Sequence, residues 1–211
     1  KQPLVTIFIL LYNNVEGLDI TIPSVLLQDY ENAEIIISDD GSGGYDTEIL
    51  TKYAEALRQK YSDVKLNINA RNMGTVKHLN KVFKMAAGKY LISCSSGDAF
   101  LRKDSVRAIV DRMENGNELL LTTRRTDVYS SGKKKIRPHK MVGFFLNHDP
   151  QSLLEYMITK KNVLSGCCTF YAKELFETHG YLDESYHLVE DYPYYTFLLM
   201  KGVKIGWFPE S

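Results

Sequence analysis

The sequence is short of cysteine and proline and has no excess of either charge. Its 211 residues hold three cysteines: Cys94, Cys167 and Cys168. An odd count with two adjacent members makes a poor disulfide framework, and no C-x-x-C or Cys/His spacing suits zinc. Reduced, buried thiols are expected. Lys+Arg and Asp+Glu both number 26, so no overall field holds the chain on nucleic acid, although a local phosphate-binding patch is allowed. Six prolines and 44% hydrophobic residues exclude a disordered or collagen-like chain. No apolar run approaches the length of a membrane span, and no small-residue cleavage site follows the apolar N-terminal segment. These absences predict a cytoplasmic protein with no nucleic-acid partner. The chain begins at Lys1 rather than Met, which reads as a piece of a longer protein.

Strand and helix signals alternate through the first half. Val5–Leu11 is an apolar, β-rich run of the kind buried on both faces of a parallel sheet. A helix is expected over 18–28, with Pro23 in its first turns or bending it. Ala33–Ser38 is a second strand. Ile49, Tyr53, Leu57 and Tyr61 mark one helical face. Val64–Ile68 is a third strand. A helix then runs from Thr75, its expected cap, to Ala87, with Gly88 in the C′ position. Lys89–Cys94 is a fourth strand. Beyond it a helix over 103–115, a strand over 119–129, a turn at Ser130-Ser131-Gly132 and a helix opened by Asp149-Pro150 are predicted. Cys167–Tyr171, Glu190–Lys201 and Val203–Phe208 read as strand, helix and strand. With no linker or repeat, the pattern is α/β: one domain over 1–211, a mainly parallel Rossmann-like central sheet with helices on both faces.

All four early strands end in short polar residues: Tyr12-Asn13, Asp39-Asp40, Arg71-Asn72 and Ser96-Gly97-Asp98. In an open parallel sheet a ligand sits outside the carboxyl ends of the strands, so these sets should converge. Acids, amides and one arginine suit a phosphate-bearing molecule. Each set taken singly is also ordinary turn chemistry. G-x-x-x-x-G-K-[ST] is absent, and G-x-G-x-x-G does not follow the first strand. The remaining route to a diphosphate is a divalent cation held by a carboxylate and by substrate oxygens, and Asp98 is the acid placed for it.

These residues resemble a known family. V-T-I-F-I-L-L-Y-N-N, S-V-L-L-Q-D-Y, E-I-I-I-S-D-D-G-S, the N-x-G at Asn72–Gly74 and A-A-G-K-Y-L before Ser96-Gly97-Asp98 are similar, in order and spacing, to the family 2 inverting glycosyltransferases of GT-A fold. G-C-C-T-F-Y-A-K-E-L-F-E-x-x-G-Y-L-D-E followed by Glu190-Asp191 resembles the acceptor half. The resemblance implies transfer of a sugar from a nucleoside-diphosphate sugar, with UDP as the carrier, to a saccharide or lipid-linked acceptor in cell-envelope polysaccharide or glycan synthesis. Residues 1–98 would bind the donor and 99–211 would supply the acceptor side and the base. Tyr12 and Asn13 would line the base pocket, Asp40 would accept from the base imide N–H and Asp39 would support it. Arg71 and Asn72 would flank the base or diphosphate. Ser96-Gly97-Asp98 stands in place of a D-x-D motif, with Asp98 ligating Mg²⁺ or Mn²⁺. Asp191 stands in place of the general base, with Glu190 and His187 toward the acceptor. Ser96 departs from the pattern, because its hydroxyl brings no charge, and this motivates an alternative: a nucleotide-sugar-binding module with impaired catalysis. A nucleotidyltransferase is disfavoured because no cation follows the first strand.

Other features stay with ordinary structural roles. Lys77, His78, Lys81 and Lys84 read as a solvated helix face, the first two near a helix start that suits anions. The basic run 133–140 reads as an exposed hairpin; its rival role is contact with an anionic acceptor or with the inner face of a membrane, as a peripheral protein. Tyr192, Tyr194 and Tyr195 include a candidate sugar-stacking ring.

Overall fold

Val5–Leu11 (β1), Ala33–Asp39 (β2) and Tyr90–Ser93 (β4) carry almost nothing but buried side chains. They form the middle of the sheet, and the edge strand Asp63–Ile68 (β3) is more exposed. The computed structural model describes residues 2–138, 143, 149–186 and 189–209. The remaining strands are Leu120–Thr123 (β5), Arg125–Val128 (β6), Lys134–Arg137 (β7), Thr169–Ala172 (β8) and Gly206–Phe208 (β9). The main sheet has the order β3-β2-β1-β4-β8-β5-β9, and β6 pairs with β7 in a separate antiparallel hairpin. β1 to β4 are mutually parallel, whereas β8 runs antiparallel to both β4 and β5. The chain winds outward from β1 to β3 and then returns to the other side of β1. The strand order therefore reverses between β1 and β4, which is where an open α/β sheet leaves a crevice at its carboxyl end.

Two apolar layers cover the sheet. On one face, Val5, Ile7, Ile9 and Leu11 pack against Leu18–Leu26 (α1), Glu48–Arg58 (α2) and Ser105–Gly116 (α4). On the other, Phe8 and Ile36 pack under Thr75–Met85 (α3), Pro150–Thr159 (α5), Lys173–His179 (α6) and Asp191–Met200 (α7). This division is the period-2 alternation of a strand buried on both faces. Glu34 is buried in β2 and takes hydrogen bonds from the Thr6 hydroxyl and the Ala87 amide, with Lys65 as its ion-pair partner. Burial alone would raise its carboxyl, but Lys65 and the two other donors hold it below the usual value.

Several local expectations change. The strand expected over 119–129 breaks at Arg124, so that β5 stays in the sheet and β6 leaves it. The buried seam of α2 is Leu50, Ala54 and Leu57, continued by Tyr61; Tyr53 instead donates to Asp19 at 2.7 Å. Pro23 lies inside α1, in its second turn, within the expected range. Thr75 is the first helical residue of α3 and not its cap. Gly88 is no helix terminator: a Cβ there would lie 2.3 Å from the Thr6 nitrogen, so the loop into β4 presses on β1. Cys167 leaves the expected strand for a 3₁₀ turn, Gly166–Cys168, and α6 is an added helix. Asp149 caps α5 as expected, accepting from the Ser152 amide at 2.9 Å, but Ile158 faces solvent.

Candidate functional site

The four polar strand ends meet, and the chain's own hydrogen bonds tie them together. The Asn13 amide donates to Ser42 Oγ at 2.7 Å, and Asn13 Oδ1 accepts from the Gly43 amide at 3.3 Å. Gly41, at φ +74°, lies so close to the backbone of Arg71 that a Cβ would sit 2.4 Å from its carbonyl carbon; only glycine suits both the conformation and the contact. Asn14 Nδ2 donates to the Ser96 carbonyl at 2.9 Å. Tyr12 is 50% exposed at the rim, and Arg71 and Asn72 are also exposed.

The acids of this loop set do local work. Asp39 is buried and accepts from the Ser42 amide at 3.1 Å as well as from its hydroxyl. Asp40 is buried and accepts from Asn69 Nδ2 at 2.9 Å, the Met73 amide at 3.0 Å and the Gly74 amide at 3.2 Å. These three donors use most of its roughly four acceptor positions and hold the loop that leads into α3. Ser96 Oγ donates back to the Asn14 carbonyl, and the Gly97 amide bonds to Thr21 Oγ1 at 3.0 Å. His78, expected on a solvated face, is buried with its Nε2 2.6 Å from Ser38 Oγ, and burial lowers its pKa. Lys81 donates to Asn69 Oδ1 at 2.6 Å, and Lys84 lies over the Tyr181 ring.

Asp98 faces the cleft. It lines a cavity of about 640 Å³ together with Arg124, Arg125, Asp127 and Cys167. Enough protein surrounds its carboxyl to disfavour the charge; with the negative field of Cys167, this pushes it up to about 6 against the pull of Arg125. Cys167 is the cysteine that departs from the expected inert thiol. Hydrogen bonds from the neighbouring groups, including Ser165 and Arg125, together with the Arg125 charge, hold its thiol below the usual value against the pull of burial. Arg125 Nη1 lies 3.4 Å from its sulfur.

The turn carrying Cys167 joins this cleft to the second acidic pair. Ser93, at the end of β4, donates to the Cys167 carbonyl at 3.2 Å. A Cβ on Gly166 would lie 3.5 Å from Glu190 Oε1 and 3.9 Å from Asp191 Cβ. Asp191 opens α7; its Oδ1 accepts from the Tyr192 amide at 2.6 Å, and Asn162 Nδ2 approaches its Oδ2 at 3.5 Å. Burial, with the charge of Asp191 added, raises the carboxyl of Glu190. Tyr194 and Tyr195 are buried, bonded to the Gly180 carbonyl and the Tyr171 hydroxyl, and are not free stacking rings; Tyr192 reaches toward the Met157 carbonyl. His187 lies outside the described residues, as do His139 and Lys140 of the basic run. Sequence reasoning missed Arg125 and Cys167 as cleft residues. The break after β5 that turns Arg125 inward carries no Gly or Pro to mark it.

Among the described residues no three His, Cys, Asp or Glu side chains gather as a metal cage. One carboxylate at an open cleft does fit a cation that takes its other ligands from phosphate and water, the usual habit of Mg²⁺. No helix among the described residues is long and apolar enough to cross a membrane.

Comparison with known proteins agrees with this geometry. The model of the family described as glycosyl transferase family 2 matches residues 6–180. An uncharacterized glycosyltransferase of Rickettsia felis is 30% identical over 173 residues, which is 82% of this chain and 27% of that protein. A poly-beta-1,6-N-acetyl-D-glucosamine synthase of Staphylococcus aureus is 24% identical over 212 residues, covering 97% of this chain and 48% of the synthase. The chain thus spans about a quarter to a half of these relatives. Among solved structures, a mannosyltransferase from Pyrobaculum calidifontis, in complex with GDP-Man and Mn²⁺, superposes with a TM-score of 0.76 at 15% identity, over 100% of this chain and 56% of its own. S. aureus TarS in complex with UDP gives 0.71 at 16% identity, over 98% and 58%. The match across most of the sequence, joined to a shared sheet architecture, makes this chain a member of glycosyl transferase family 2 with the GT-A fold.

Proposed function

We propose that this chain transfers a sugar from a nucleoside-diphosphate sugar to an acceptor hydroxyl with inversion at the anomeric carbon. The observation that carries the reading is the Gly166–Cys168 turn, which links the cleft of Asp98 to Glu190-Asp191. A base and a leaving-group site on opposite sides of one cleft are what a single displacement requires. Tyr12, Asn13, Arg71 and Asn72 face the base and ribose, within the loop frame that Asp39 and Asp40 hold. Ser96 and Gly97 shape the wall beside the diphosphate. A divalent cation would be held by Asp98 and donor phosphate oxygens, and would supply positive charge against the departing diphosphate.

Asp191 takes the proton of the acceptor hydroxyl. The acceptor oxygen then forms its bond to the anomeric carbon as the bond from that carbon to the diphosphate oxygen breaks. The sugar leaves on the acceptor, and the nucleoside diphosphate carries away the electron pair. Glu190, uncharged more readily than an ordinary glutamate, spares Asp191 some like-charge repulsion. UDP is the carrier we favour, since UDP occupies TarS and a poly-N-acetylglucosamine synthase is among the relatives. The same relatives favour a cell-envelope polysaccharide acceptor. Incubation with UDP-GlcNAc, Mn²⁺ and a saccharide acceptor tests the reading, with the anomeric configuration of the product read by NMR. The expected result is inverted product with wild type and none with Asp191→Asn; retained configuration, or full activity of the variant, overturns it.

One observation favours the second reading, a nucleotide-sugar-binding module with impaired catalysis. The Ser96 hydroxyl is spent on Asn14 and brings no charge to a metal. That reading predicts donor binding with no transfer or donor hydrolysis by wild type.

A further inference from the structure

A second cavity, of about 430 Å³, opens between the β6–β7 hairpin and the segment 161–165. Four cations line it: Arg125, Lys135, Arg137 and Lys161. Among the described residues, one carboxylate answers two of them. Asp127 accepts from Arg125 Nε at 2.9 Å and from Arg137 Nε at 2.6 Å, so it fixes the two guanidinium groups and leaves net positive charge. The ammonium groups of Lys135 and Lys161 make no ion pair or hydrogen bond among the described residues. Like charges collected in a concavity repel one another, and the field they create concentrates anions. Planar guanidinium groups held by a carboxylate, with mobile ammonium groups opposite, match the oxygens of a phosphate.

The cavity's position gives the anion a role. Its wall includes Asn162, whose Nδ2 approaches Asp191, and Ser165, which bonds to Arg125. An anion seated here lies one residue away from the proposed base. Ile136, Val163 and Leu164 supply apolar wall for a sugar ring or chain beside the charged group.

We propose that this cavity is a subsite for a phosphate group carried by the acceptor, which places a neighbouring acceptor hydroxyl at Asp191. The inference rests on the glycosyltransferase reading for its acceptor, but the anion site itself can be tested without turnover. Calorimetric titration of the chain with glucose 6-phosphate should show binding that inorganic phosphate competes away and that rising salt weakens, while glucose gives none. The exposed pair Lys135→Glu/Lys161→Glu should weaken it about tenfold or more. Lys135→Ala/Lys161→Ala should give a smaller change in the same direction, and UDP affinity should be unchanged in both. Equal glucose 6-phosphate affinity in the charge-reversed variant overturns the proposal. So does a parallel loss of UDP binding, which would assign the lysines to the donor. Binding only to phosphatidylglycerol vesicles, with no glucose 6-phosphate bound, overturns it in favour of a membrane-facing hairpin. If wild type binds glucose 6-phosphate but no nucleoside diphosphate, the anion site stands and the proposed function fails.

Discussion

The two sides of the cleft use their polar residues differently. On the β1–β4 side, Asp39, Asp40, Asn14 and Ser96 hold loops to one another. On the β5–β9 side, Arg125, Lys135, Arg137 and Lys161 line an open cavity. The regular parallel half builds a fixed frame, and the irregular half leaves charge free to act on a substrate. A residue's presence in a polar strand-end motif therefore does not say which of these it does; its hydrogen-bond partners do.

The sharpest division concerns Asp191. Asp191→Asn should lower transfer by about 10²–10⁴-fold in kcat, the usual worth of a general base, with UDP affinity unchanged by calorimetry. A comparable fall in UDP affinity would erase the separation between frame and chemistry. Next in size is Glu34, the buried acid of the frame. Glu34→Ala strips partners from the Thr6 hydroxyl and the Ala87 amide and should destabilise by about 3 kcal/mol in urea unfolding. Lys161→Ala, on the open side, should stay within about 0.5 kcal/mol. Gly88→Ala should destabilise by about 1–3 kcal/mol in the same measurement, because its Cβ meets the β1 backbone.

The smallest effect is in the pH dependence of Asp98. Its folded pKa of about 6 lies above the ordinary 3.8, so ionising it costs the folded state. That cost appears as pH rises from about 4 to about 6. Without divalent cation, the Tm of Asp98→Asn should gain on wild type across this window. A gap independent of pH would mean that Asp98 titrates normally.

Much of the frame was legible because β1 to β4 are apolar runs buried on both faces and closed by turn residues. The alternation of strand and helix pointed to the parallel order, and the strand ends pointed to the crevice. The second half was less legible for physical reasons. β8 enters the sheet antiparallel through contacts distant in sequence, which no local pattern encodes. β5 and β6 read as one strand because Arg124 interrupts them without Gly or Pro. His78 looked solvated beside three lysines, yet it is buried against Ser38, whose hydroxyl also accepts from Asn67. Gly88 looked like a helix stop because its other role, close approach to β1, leaves no mark in the sequence. At the site, Asp98 and the Glu190-Asp191 pair were readable as acids at element ends. The three donors on Asp40 and the inward turn of Ser96 depend on loop packing.

The central claim is that the strand-end cleft binds a nucleoside diphosphate through Asp98 and leaves Asp191 to the acceptor. Thermal stabilisation by UDP, GDP, dTDP and CDP, each with and without Mn²⁺, tests it most directly on wild type, Asp98→Ala and Asp191→Asn. The account predicts Mn²⁺-assisted stabilisation by one diphosphate, lost in Asp98→Ala and kept in Asp191→Asn. Stabilisation by none of the four, or an undiminished shift in Asp98→Ala, would contradict it.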